Sequence, residues 1–168
     1  FQAGAFKSDA LQSGSAAIRN ISIDISSVDD SIQPGEKFQE SESSVDLSQA
    51  DVIVSVGRGI GKEENLPIAK ELAKVLKGQI ASSRPVVDSG WLEPYHQIGS
   101  SGQTVAPKLY LALGISGAIQ HVVGMKSSKK IVVINKDANA PLFEIADYGI
   151  VGDIFEIVPK LISAIQNR

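Results

Sequence analysis

The stretch Leu113–Met125, LGISGAIQHVVGM, holds the residues best suited to do chemistry. An apolar run from Leu109 to Leu113 empties into Gly114, and Ser116-Gly117 opens a helical pattern. Backbone N–H groups at a helix start lack partners within the helix and carry the positive end of its dipole. A strand–Gly–Ser-Gly–helix junction is therefore a seat for a pyrophosphate. Ser116 is also a natural N-cap, and the two roles are compatible. Gln120 and His121 follow on the first turns, within reach of whatever the phosphates carry. A lone helical histidine is more often a packing residue than a working one, but a place one turn past the seat shifts that balance. A serine hydrolase is set aside: its nucleophile elbow needs G-x-S-x-G, and here the second glycine comes one residue early.

Other turns carry similar groups. Gly57-Arg58-Gly59-Ile60-Gly61 follows an apolar run, but its spacing is not the dinucleotide fingerprint, and no acidic residue ends the next strand to grip a ribose. A glycine-rich turn is its plainer reading, although the planar guanidinium of Arg58 suits a phosphate or a flat ring. Ser83 and Arg84 offer a hydroxyl and a permanent cation at one strand end, or simply a turn with a surface arginine. Asp153 with Glu156 resembles a capping box; alternatively the Asp153 carboxylate accepts a bond from an adenine amino group. His96 lies in a polar loop and is given no role.

The elements that must position these groups follow from periodicity. Asp51–Val56 reads as a strand buried on both faces. Ala69, Leu72, Ala73 and Leu76 make an amphipathic helix closed by Gly78. Strands are expected at 79–82, 109–113, 130–135 and 148–151, with helices over 116–124 and from 153 to the carboxyl end. Pro159 suggests that this last helix restarts near Val158. Residues 84–107, with three prolines and three glycines, read as mostly loop, long for a compact domain and so expected to be functional. Alternating strands and helices ask for an α/β fold, a doubly wound, mostly parallel sheet with helices on both faces. Ligands sit at the carboxyl ends of such strands, and the loops 57–61, 82–84, 114–117, 135–137 and 152–153 all leave from there. Residues 1–49 read as a linker segment, poorly ordered at its start, with one short strand near 19–25 where Ile21, Ile23 and Ile25 alternate with polar residues. Residues 50–168 form the α/β domain.

Composition narrows the classes. The 168 residues are 43% hydrophobic, enough for one domain's core. A net charge of −3 and a pI near 5.4 give no electrostatic reason to bind nucleic acid. The absence of cysteine removes disulfides, thiolate metal sites and cysteine nucleophiles. No metal site and no membrane insertion are expected. The chain shows no signal-peptide pattern and starts without methionine, so it is expected to be processed or part of a longer protein.

Taken together, VSVGRGIG (54–61), SSRPVVDSGW (82–91), QIGSSGQTVAPKLYLALGISGAIQHVVGM (97–125), IVVINKD (131–137) and PLFEIADYGIVGDIFEIVP (141–159) resemble the carboxyl-terminal, FAD-binding domain of the electron transfer flavoprotein alpha subunit. The resemblance implies FAD as cofactor, with contacts from Arg58 and Ser83 and with Arg84 over the isoalloxazine ring. Ile98, Gly99, Ser100 and Ser101 would wrap the flavin, the Ser101 hydroxyl near N5. Ser116, Gly117, Ala118, Ile119 and Gln120 would hold the pyrophosphate, and His121 would face the C2 carbonyl. Asn135 would hold the adenosine part, and Asp153 and Ile154 would bracket the adenine. Where the family often has Gln-Thr this chain has Ser100-Ser101, which keeps the hydroxyl and loses an amide. The family's common Gly-Lys becomes Gly102-Gln103.

The function so implied is that of an electron carrier with no substrate chemistry of its own. It would take electrons from flavin dehydrogenases and pass them to a membrane-bound or soluble acceptor through flavin semiquinone chemistry. The implied partner is the electron transfer flavoprotein beta subunit, in a heterodimer, in the cytoplasm or in a eukaryote's mitochondrial matrix. Two alternatives stand: a nicotinamide-dependent dehydrogenase domain of related fold, and a non-redox nucleotide-binding interaction module.

Overall fold

The structure, a computed structural model, describes residues 13–15, 17–24 and 46–167. The chain divides into two units, the larger taking in Val45–Arg168 and the smaller Phe6–Ser44. In the larger unit the β-branched and apolar runs become five strands, β1 (Val52–Val56), β2 (Gln79–Ser82), β3 (Leu109–Leu113), β4 (Ile131–Asn135) and β5 (Tyr148–Val151). They form one parallel sheet in the order β2-β1-β3-β4-β5. Four helices accompany it: α1 (Leu66–Val75), α2 (Arg84–Asp88), α3 (Ile119–Met125) and α4 (Ile154–Gln166).

Central parallel strands must bury both faces, which is why β1 and β3 carry side chains of the same apolar character on alternate positions. Val54, Val56, Leu111 and Leu113 pack with Leu66, Leu72, Ile154, Val158 and Ile162 of α1 and α4. Ile53, Tyr110 and Ala112 face the other way, toward Met125 of α3 and Leu142. Each fully buried Leu or Ile of this kind contributes roughly 1.5–3 kcal/mol over leaving it exposed. β1 leads into α1 on one face and β3 into α3 on the other. Adjacent strands whose connections diverge open a crevice at their carboxyl ends, and in this strand order it lies between β1 and β3. β5 closes the sheet with all four of its residues exposed, Tyr148 and Val151 most of all.

Several expectations are corrected. Residues 17–24 form no strand, and Ile21 and Ile23 stand 75% and 77% exposed, while Ile25 lies outside the described residues. Alternation supplies a face to bury but no surface to bury it against. The folded unit begins before residue 50, because Leu47 is fully buried in the core and donates its N–H to Gln103 Oε1 at 3.0 Å. The 84–107 segment is mostly loop, as expected, and Pro85, with its fixed φ, starts the short helix α2 within it. α3 begins at Ile119, with Ala118 and not Ser116 at its N-cap. Gly117, at φ +97, holds the chain out of helical geometry until then. α4 runs through Pro159 without restarting. The i, i+4 series Ile154, Val158, Ile162 holds that helix against the sheet and outweighs the backbone hydrogen bond that proline omits.

Candidate functional site

Two glycine turns meet at the crevice. The N–H of Gly57 donates to Leu113 O at 2.9 Å and that of Gly59 to Gly114 O at 3.0 Å. A β-carbon on Gly57 would fall on the Gly114 carbonyl, and one on Gly59 would sit 2.7 Å from the Gly114 Cα. Gly57 and Gly59 therefore serve backbone-to-backbone contact, and the contact leaves Arg58 facing the space above β1 and β3. That space is a cleft of about 590 Å³. Arg58, Ser83, Arg84, Ile98, Gly99, Ser100, Ser101, Ser116, Gly117, Ala118, Gln120, His121 and Asn135 all line it. Thirteen of the sixteen expected site residues, from five separate segments, are thus brought to one rim.

The 97–103 segment is pinned from both sides. Ile98 donates to Ser82 O at 2.9 Å, and Ser100 donates to Gln120 O at 2.8 Å. Gly99 at φ +143 lies so close to α3 that a β-carbon would come within 2.7 Å of Gln120 O. Gln97 Nε2 donates to Ser101 Oγ at 2.9 Å, which leaves the Ser101 hydroxyl proton free to serve as a donor. Next to it, no described hydrogen bond is donated by the backbone N–H groups of Ser116 to Gln120, although the Ser116 carbonyl accepts from Leu142 at 3.0 Å. Those uncommitted N–H groups belong to the 116–118 turn as much as to the helix end.

Charge in the cleft comes from two guanidiniums and two carboxylates, Arg58, Arg84, Asp88 and Asp137. Arg84 Nε lies 3.4 Å from Asp88 Oδ2, with side chains 68% and 59% exposed. An ion pair so exposed binds weakly, so the Arg84 fork remains available to a ligand. Asn135 donates to Ile115 O at 3.0 Å and accepts from Asp137 N at 3.1 Å, bracing the floor. His121 is buried. Its Nε2 is 2.8 Å from the Tyr110 hydroxyl, and its Nδ1 is 3.0 Å from the Ile98 carbonyl. Burial lowers its pKa to about 4, against the smaller opposing effect of the Ile98 carbonyl, so the ring is neutral at pH 7.

Three expected residues stand elsewhere. Ile119 is 77% exposed on the outer side of α3, and Ile154 is buried in the core beneath α4. Asp153 caps α4, accepting from Phe155 N at 2.8 Å, and pairs with Lys136 at 2.9 Å. Lys136 and then the Phe155 N–H hold its carboxyl below the usual range. It follows the carboxyl end of β5, the end of the parallel sheet at which the cleft opens, but lies outside the cleft's lining. Sequence reasoning missed Gln97, Asp88 and Asp137. Asp88 lies one helical turn after Arg84, a spacing that signals a pair. Gln97 carries no sequence signal of its own. His96 turns inward to the Ile80 carbonyl at 2.9 Å, away from the cleft. Among the described residues there is no cluster of His, Asp and Glu fit for a metal, and no helix long and apolar enough to cross a membrane.

Residues 46–126 match the family described as "Electron transfer flavoprotein FAD-binding domain". The electron transfer flavoprotein subunit alpha of Thermoanaerobacterium thermosaccharolyticum is 55% identical over 129 residues, covering 77% of this chain and 39% of that protein. Protein FixB of Clostridium saccharobutylicum is 54% identical over 119 residues, covering 71% of this chain and 36% of its own. The acryloyl-CoA reductase electron transfer subunit beta of Anaerotignum propionicum is 52% identical over 132 residues, with 77% and 36% covered. This chain spans less than two-fifths the length of these relatives.

Proposed function

Through residues 46–126 the chain belongs to the electron transfer flavoprotein FAD-binding domain family, and from that premise we propose that its cleft holds FAD as an electron carrier. The observation that supports this most directly is the convergence, at the β1/β3 crevice, of uncommitted N–H groups from 116–120 with the guanidiniums of Arg58 and Arg84. A pyrophosphate needs the first and an electron-rich flat ring is stabilised by the second. FAD, when bound, supplies one- and two-electron redox chemistry, and the protein's part is to bind, orient and tune.

Each residue's part follows from its surroundings. The 116–120 N–H groups hold the pyrophosphate. Ser101 presents its hydroxyl proton as a donor. Arg84 supplies the positive potential that favours charge gained on reduction. Asn135 and, beyond the cleft lining, Asp153 serve the adenosine end, while Ile154 stays in the core beneath. The Asp153 carboxylate accepts two bonds in the structure and retains lone pairs for an adenine amino group. The FAD-binding unit on this reading runs from residue 46, where Leu47 already belongs to the core, to the carboxyl end. The carrier pairs with an electron transfer flavoprotein beta subunit, accepts electrons from flavin dehydrogenases in the cytoplasm, and delivers them to a redox acceptor.

Reconstitution tests it. The purified chain mixed with FAD and passed through a sizing column should retain a flavin absorbance between roughly 350 and 500 nm, with a reversible couple. Arg84→Ala should lower the potential of the bound flavin. The Arg84 side chain is 68% exposed, so solvent would screen its charge, and the expected drop is about 0.1 V or less. Failure to retain FAD would sink the proposal, and retention without a reversible couple would sink it in favour of a non-redox nucleotide-binding module.

A further inference from the structure

Tyr110 is fully buried in the middle of the sheet, yet it places a hydroxyl against a residue of the cleft. The aromatic ring belongs to the core beside Ile53, Ile98 and Met125, while its oxygen lies 2.8 Å from His121 Nε2. On the other side of the imidazole, Nδ1 lies 3.0 Å from the Ile98 carbonyl. A backbone carbonyl only accepts, so Nδ1 carries the proton. The neutral ring's other nitrogen is then an acceptor, and the Tyr110 hydroxyl donates to it. Burial keeps the phenol protonated throughout the working pH range.

We infer that Tyr110 is a positioning residue of the cleft: with the Ile98 carbonyl it fixes His121 in one ring orientation and as the Nδ1–H tautomer, and so ties the 97–103 segment to β3. The link is short. Ile98 is one residue from Gly99, whose backbone packs on Gln120 and Gly124 of α3, and Ser100 donates to Gln120. His121 thus joins three pieces of the rim: β3 through Tyr110, α3 through its own backbone, and the 97–103 segment through Ile98. Tyr110 reaches the cofactor only through that chain and does not line the cleft. A strand position read as plain core therefore sets the geometry of a polar site one layer above it.

The test uses the full chain labelled with nitrogen-15 at histidine. Without cofactor, His121 should show a protonated Nδ1 and an unprotonated, hydrogen-bonded Nε2, unchanged between pH 5 and 8. The Tyr110→Phe variant, nearly isosteric, should move the Nε2 resonance toward that of an unbonded nitrogen and speed amide exchange at Gly99–Ser101. Its affinity for FAD should weaken about 3- to 10-fold, the size of one lost hydrogen bond. An Nε2–H tautomer in the parent chain, or an Nε2 resonance untouched by Tyr110→Phe, would overturn the inference. The affinity readout alone rests on the proposed function: if neither chain binds FAD, that proposal fails, while the tautomer result still decides this one.

Discussion

The cleft's polarity rests on single atoms whose partners are already allotted. Ser101 illustrates the point. Its oxygen accepts from Gln97, so its proton is aimed by exclusion. Ser101→Ala should leave the melting temperature within about 2 °C and weaken FAD binding by roughly 1 kcal/mol, read by fluorescence titration. Arg58 and Arg84 were half legible: each stood at a strand end beside glycine or serine, where a plain turn reads equally well, and the structure puts both on the cleft lining. His121 was half legible: its place above the seat was foreseen, but its partner was not. Tyr110 sits in an apolar run, LYLAL, where a phenol is indistinguishable from any other core ring. Asp153 was read both as a helix cap and as a partner for adenine, and in the structure it caps α4; Ile154 was expected at an adenine on resemblance alone, and it fills the core.

Elements were more readable than their ends. The five strands of the larger unit appear within a residue of where the sequence placed them, most plainly β1 and β3, where burial on both faces leaves an apolar run. Helix starts were missed where tertiary contact overrode local preference. At α3 the Gly117 backbone approaches Leu142, and the helix waits until Ile119. At Pro159 apolar packing overrode the usual break. Two measurements follow. Pro159→Ala should raise stability by about 1–3 kcal/mol in urea unfolding, since the helix already has the geometry alanine prefers. Gly59→Ala should do the reverse. Its β-carbon would fall 2.7 Å from Gly114, forcing the two turns apart at a cost of about 1–3 kcal/mol and loosening FAD in the same titration.

At the scale of the molecule, stability should depend on pH through its buried histidines. The folded pKa of His121 is depressed to about 4 by burial, and that of His96 is also lowered, chiefly by burial. Between that value and the usual 6.5, the unfolded chain binds a proton that the folded chain refuses, so stability falls as pH falls. From pH 7 to pH 5 the loss from His121 alone is about 2 kcal/mol. Urea midpoints at the two pH values measure it, and a flat profile would contradict a buried neutral ring. The topology itself was legible as a class, because alternating strands and helices permit few arrangements. The order β2-β1-β3-β4-β5 was not, since nothing in a strand's own residues names its neighbour.

The bare fifth strand makes the isolated chain a sticky object. Tyr148, Ile150 and Val151 stand out from a sheet border, the kind of edge that recruits further strands when concentration rises. Light scattering of concentrated samples should therefore climb with time at rest, and Ile150→Lys should keep the same solution clear without touching the cleft.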